Sequence, residues 1–312
     1  MPDIYMHKRL ADDIANTRND LDYEMFLIGA QGADPFYYGK LPLSRTLGND
    51  FHNKKIRMGF TLMTNYVKAN YTDALYSFYL GFILHATLDQ HMHPYVYQHV
   101  GKYDPRDHTT HDVRGLHMRF ERSIDALLIN EDTGKSAKKY PLKTALPVAL
   151  IPKDIVSMMD YLVYELFGMN EGGLLYQNGY IRMRKIITHF MKDRTGLKTR
   201  IYKGLDRFNH THDYFYQDFT FNRLPKESFD YLNRNHTPWH HPITNHPSYK
   251  SIDDLYLDAW LESETIFKAV DQYIKKDTQI NFHTVFKNHS LNTGLDVAVA
   301  HKMTYFNIYT KK

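Results

Sequence analysis

A chain of 312 residues, 43% hydrophobic and 24% charged, is long enough to bury a substantial core and has the make-up of a globular protein. Its formal net charge of +4 is too mild to point to nucleic acid, and the absence of cysteine excludes disulfides, thiolate metal sites and cysteine nucleophiles. Apolar runs such as 151–167 are broken by Lys, Asp and Glu, so no membrane span is expected. The first residues carry no cationic-then-apolar signal, which makes the cytoplasm the expected location.

In chain order, 29–48 reads as a loop containing Asp34-Pro35. The segment 56–67 places Ile56, Phe60, Met63 and Val67 at helical intervals. A second helix is predicted over 71–89, with Thr72 as N-cap, Leu75, Phe78, Phe82 and His85 on the repeat, and Pro94 as its end. After a loop at 100–110, the segment 111–128 is periodic in Leu116, Phe120, Ile124 and Leu127. Another helix should begin after Pro152 at Lys153, reach Phe167 and stop near Gly168. The alternating stretch 214–219 predicts a small hairpin or an irregular loop, and 225–250 is a Pro- and Asn-containing loop. Ser251 should cap a long helix to Lys275, with Asp253 and Asp254 at its positive end and lysines at its negative one. The expectation is an all-α fold in one continuous domain. Its metal-site core would be 1–130 and its helical extension 150–312. The 25 Tyr and 18 Phe are expected to fill that core with rings.

Histidine is the compositional outlier: nine of the 19 lie within the first 117 residues. Imidazole is the most useful neutral metal ligand near neutral pH, so spacing decides what the surplus means. His85, Asp89 and His93 are each four apart, and a step of four turns a helix by about 40°, which puts all three along one face. His91 is a rival for His93 but points off that face. His117 and Glu121 repeat the spacing on the next helix. A histidine and a carboxylate one turn apart converge on a point above the helix, where a zinc ion can be gripped. The adjacent pair His111-Asp112 is similar to the centre of metal-dependent HD phosphohydrolases, on two residues alone.

The ordered set extends further. The His7 segment, the run 29–38 with Asp34, Asp50-Phe51-His52, the run 85–93 and Gly115 to Glu121 together resemble the bacterial zinc-dependent phospholipase C family. That family shares a helical trinuclear-zinc architecture with the fungal single-strand nucleases. The resemblance covers roughly 4–125. It implies that His52, His85 and Asp89 hold one zinc, that Asp89 bridges to a second held by His7, and that His93, His117 and Glu121 hold a third. Asp34 would be the carboxylate beside the bridging water, as general base or orienting group. Two or three zinc ions are therefore expected. The second, near His7, is the one whose ligands depart from the family, because secreted members complete it with an N-terminal tryptophan.

A bridged zinc pair generates hydroxide near neutral pH and steadies a phosphoryl group in line. The implied activity is thus hydrolysis of a phosphate ester, with a phospholipid head group or a soluble phosphodiester as substrate. Tyr37, Tyr38, Asp50 and Asp125 are candidate supports for the imidazoles. Two other readings compete: a nuclease or nucleotidase on the same scaffold, and a non-catalytic metal-binding protein with an incomplete site. Elsewhere, Trp239-His240-His241-Pro242 with His246 reads as a packed turn. His210, His212 and Asp213 lack an evident third ligand. Arg182, Arg184, Lys185, Arg194, Lys198 and Arg200 read as a solvated basic face or, more sharply, a rim that attracts phosphate.

Overall fold

The structure is a computed structural model that describes residues 4–147, 150–208, 216, 219–220, 224–225 and 229–309. It is mostly helical, as expected. The described residues hold eleven helices: α1 (Ile4–Ala15), α2 (Tyr23–Gly29), α3 (Pro42–Asn53), α4 (Ile56–Ala69), α5 (Asp73–Val100), α6 (Leu116–Thr133), α7 (Lys153–Phe167), α8 (Gly172–Lys185), α9 (Leu197–Phe208), α10 (Ile252–Lys276) and α11 (Phe282–Val285). The strands among the described residues are a two-residue pair, β1 (Trp239–His240) and β2 (Pro247–Ser248), running antiparallel.

α5 is the axis of the fold. It is buried on every side through most of its 28 residues, the mark of a helix enclosed by others. α2 packs on one side of it and α10 on another, with α1, α4, α6 and α7 completing the enclosure. The α2–α5 crossing is tight because Gly81 has no side chain: a Cβ there would sit 2.2 Å from the Phe26 carbonyl oxygen. On the α10 side the hydroxyls of Thr87 and Ser263 meet at 2.6 Å. Each fully enclosed Leu or Phe along α5 contributes about 2–3 kcal/mol. The aromatic surplus fills the core. Phe36 stacks on Phe51, and Phe51 meets Phe82 and Phe167 edge-on.

α4, α7 and α10 match their predicted spans closely. Thr72 accepts the N–H of Leu75, and Ser251 with Asp254 forms a reciprocal cap on α10. Three boundaries differ. Pro94 does not end α5, which continues to Val100. A proline inside a helix costs about 3 kcal/mol, and burial of Met92, His93, Tyr95 and Val96 offsets it. The predicted helix over 111–128 is a tight turn, His108–Val113, followed by α6, because Gly115 adopts φ 86° between them. The predicted loop 29–48 holds a tight turn, Asp34–Tyr38, and the start of α3 behind Pro42. α1, α2, α8 and α9 are helices that periodicity did not single out. Most of the aromatic stretch 214–219 lies outside the described residues.

The C-terminal extension is not helical throughout. Residues 286–309 form an irregular strap that returns to α3 and α5. The N–H of Leu291 donates to the His52 carbonyl at 2.8 Å, and the N–H groups of Asn307 and Tyr309 donate to the carbonyls of Gln98 and His99.

Candidate metal centre

Helix geometry brings the predicted residues together. His7 comes from α1, Asp34 opens the turn after α2, and His52 stands on the last turn of α3. His85, Asp89 and His93 lie one turn apart along α5, while His117 and Glu121 do the same at the start of α6. All are buried except His117, which is 30% exposed.

Asp34, His52 and His85 form one group able to hold an ion, and Asp89 approaches both of its histidines. His52 Nε2 is 3.4 Å from Asp34 Oδ1 and 3.5 Å from Asp89 Oδ2. His85 Nε2 is 3.4 Å from Asp89 Oδ2 and 3.8 Å from Asp34 Oδ1. Donors bonded at 2.0–2.1 Å to a tetrahedral ion stand about 3.3 Å apart, so these separations are close to the edges of such a tetrahedron. The other oxygen of Asp89, Oδ1, lies 3.4 Å from His7 Nε2. His7, His85 and Asp89 form a second group able to hold an ion, and His93, His117 and Glu121 a third. In the third, Glu121 Oε1 is 2.8 Å from His117 Nε2 and 3.6 Å from His93 Nε2. His85 is counted in two groups, and one nitrogen serves one ion. The site near His7 is therefore the poorest in donors of its own among the described residues.

The donor atoms fit metal ions better than they fit one another. His7 Nε2, His52 Nε2, His85 Nε2, His93 Nε2, Asp34 Oδ1 and both oxygens of Asp89 are buried and make no hydrogen bond. Burying such groups without a partner costs free energy, and a cation at their centre would satisfy them together.

Backbone groups set the tautomers. His52 Nδ1 lies 2.7 Å from the Gly48 carbonyl and His93 Nδ1 2.6 Å from the Leu291 carbonyl. In each ring Nδ1 donates its proton to the carbonyl, which leaves Nε2 facing the carboxylates. Room for His85 comes from Gly32, at φ 49°, where a Cβ would fall 1.9 Å from the ring. Of the proposed supports, Tyr37 OH is 3.5 Å from His52 Nδ1. Asp125 acts one step away: it accepts the N–H groups of Tyr5 and Met6 at 2.7 and 3.1 Å, pinning the start of α1 and so placing His7. Asp50 instead pairs with Lys54 at 2.8 Å.

Electrostatics follow from burial. Burial pushes His85 well below its ordinary pKa and His93 down to about 3, leaving both rings neutral. His52 differs. Burial works against its charge, yet the approach of the Asp34 and Asp89 carboxylates at 3.4 and 3.5 Å lifts it to about 9. Burial raises Asp34. It opposes the charge of Asp89 too, but the surrounding histidines hold Asp89 well below the usual carboxylate range. The metal-free protein thus carries a proton on His52 at neutral pH, and a metal must displace it. Binding at about pH 8 is expected to release about one proton from this ring. Affinity should rise about tenfold for each pH unit up to about pH 9 and level off above. Titration calorimetry in buffers of different ionisation enthalpy measures the count, and a value of zero would contradict this assignment.

The other candidates lie apart. His91 Nε2 pairs with Glu262 at 2.9 Å, away from the donor sets, so His93 is the α5 residue that joins them. His111 packs against His108 and Tyr103 on an exposed turn. His241 Nε2 meets the Thr293 carbonyl at 2.9 Å, the packed turn expected of that motif. His210, His212 and Asp213 fall outside the described residues. Sequence reading missed the cleft above the donors. It has a volume of about 290 Å³ and is lined by Gln31, Tyr37, Tyr38, Tyr97 and Arg122 among others. Gln31 and Arg122 lie next to predicted motifs, but neither carries a spacing signal. No known protein family, curated protein or solved structure matches this chain.

Proposed function

We propose that this protein is a zinc-dependent hydrolase of phosphate esters with phospholipase C-like chemistry. The observation that carries the reading is Asp89. One of its oxygens closes the His52, His85 and Asp34 set and the other faces His7, as a carboxylate shared by two ions would. Histidine nitrogens with carboxylate oxygens at tetrahedral separations suit zinc better than the oxygen-seeking magnesium or calcium. The residues that would hold the ions are His52, His85, Asp34 and Asp89 in one site, His7 with Asp89 in the second, and His93, His117 and Glu121 in the third. When bound, zinc activates water near neutral pH and neutralises charge on a phosphoryl oxygen.

The chain itself supplies orientation and exclusion of water. Asp34 Oδ1 stands at ligand distance from His52, so it would serve first as a donor and only through its other oxygen as a proton acceptor. Gln31 lines the cleft with a buried Nε2 that has no hydrogen-bond partner, and it can donate to a phosphate oxygen. The second reading is a nuclease or nucleotidase, which requires a flat aromatic slot for a base. Tyr37, Tyr38 and Tyr97 at the cleft are the feature that favours it.

Protein purified without chelator is expected to contain two or three zinc ions by elemental analysis and to hydrolyse bis-p-nitrophenyl phosphate. Asp34→Asn should lose at least about 100-fold in rate together with part of the metal. Less than one transition metal per folded chain, or full activity in Asp34→Asn, would remove the reading. A preference for single-stranded nucleic acid over phospholipid would favour the second.

A further inference from the structure

α9 has its apolar face on the wrong side for a helix of a soluble body. At 100° per residue, Leu197, Ile201, Leu205 and Phe208 fall within a sector of about 80°. They are 59, 55, 39 and 81% exposed. The opposite side, around Thr199 and Asp206, faces the protein, and Asp206 is the residue of this helix that is buried. The attachments there are polar. Asp206 accepts the N–H of Tyr216 at 2.7 Å, and buried Asp193 accepts the N–H groups of Gly196 and Thr199, both at 2.9 Å. An amphipathic helix anchored by hydrogen bonds, with its leucines turned outward, inverts the usual arrangement.

Charge completes the pattern. Arg200 and Arg207 are exposed on one flank of the stripe, Lys203 lies farther round, and the single acid of the helix, Asp206, is turned inward. Lys198 is engaged locally, donating to the carbonyls of His189, Phe190 and Lys192. A helix with bulky apolar residues on one face and cations beside it is built to lie in the head-group layer of a membrane.

We propose that α9 docks this protein on an anionic lipid surface, with Leu197, Ile201, Leu205 and Phe208 entering the acyl boundary and Arg200 and Arg207 meeting the lipid phosphates. The complementarity of those cations to an anionic bilayer selects this occupant over a second copy of the chain, whose α9 would bring the same charges. The segment leading into α9 borders the metal cleft. Met183 lines the cleft, and the Met191 sulfur lies 3.8 Å from Arg122 Nη2. The proposal stands on the geometry of α9 and does not depend on any activity at the metals.

The test is flotation of the full chain with vesicles of phosphatidylcholine, alone or with equal parts phosphatidylglycerol. Binding is expected to the anionic vesicles, weakly to the neutral ones, and to fall with added salt. Ile201→Asp with Leu205→Asp should lower the partition coefficient by at least about tenfold. Arg200→Gln with Arg207→Gln should lower it by roughly thirtyfold, on anionic vesicles alone. The changed side chains are exposed, so metal content and thermal midpoint should not move. Phe208→Ser, at the end of the helix, serves if the double variants misfold. Absence of binding to anionic vesicles overturns the proposal. So does equal binding by the variants, or a lipid-free dimer in sedimentation that Ile201→Asp dissolves while flotation is unchanged.

Discussion

Asp89→Asn is expected to empty both ion sites that share this carboxylate while leaving the group at His93, His117 and Glu121 to bind alone. The substitution keeps shape and burial but removes the charge that balances two cations, and the amide nitrogen would face the rings of His52 and His85, both about 3.4–3.5 Å from Oδ2. Elemental analysis should fall to about one ion per chain, and any hydrolytic activity should drop below detection. Stability reports the same loss independently. A ligand present at a thousand times its Kd stabilises a fold by about 4 kcal/mol, which in a chain of this size raises Tm by roughly 10 °C. Wild-type protein should gain that increment on adding zinc after chelation. Asp89→Asn should gain less, because two of the sites no longer bind and only the ion at His93, His117 and Glu121 contributes. Equal gains in the two proteins would show that Asp89 holds no metal.

Gly32→Ala should damage the centre from behind. The backbone there is at φ 49°, and the added methyl would lie 1.9 Å from the His85 ring. That ring is fully buried, stacked on His7 at 4.5 Å and edge-on to His52 at 5.7 Å, so it has nowhere to retreat. The left-handed backbone costs about 1–2 kcal/mol for alanine and the overlap a further 1–3 kcal/mol, roughly, by analogy with overpacked cores. Denaturant unfolding should show a loss of about 3 kcal/mol, accompanied by lower metal content even though no ligand has changed. Retention of both stability and full metal would mean that the turn at Gly32 moves aside freely.

Much of this centre is legible in the amino-acid order because a helix converts spacing into direction. His85, Asp89 and His93 converge as their four-residue interval requires, and His117 with Glu121 follows the same rule on α6. His91, two residues from each neighbour on that face, points to Glu262 instead. What spacing does not encode is the meeting of separate elements. That His7 reaches Asp89 follows from Asp125 holding the first turn of α1, a contact across 120 residues of sequence. The persistence of α5 through Pro94 was illegible for a similar reason: local propensity opposes it and enclosure by other elements decides. The apolar repeat of α9 is as regular as that of a buried helix, and spacing alone does not say that it faces outward. Asp34 is legible as a site residue, but its 3.4 Å approach to His52 depends on how the turn after α2 meets the end of α3, which spacing does not encode.

The strap of residues 286–309 makes the geometry of the candidate centre depend on a late-made part of the chain. The carbonyl of Leu291 fixes the ring of His93, and its N–H holds the backbone of His52. A chain emerging from the ribosome presents every ligand from His7 to Glu121 long before Leu291 exists. Until then nothing fixes the His93 ring in the orientation seen here, so a metal bound before the strap folds back would meet an unfinished donor set.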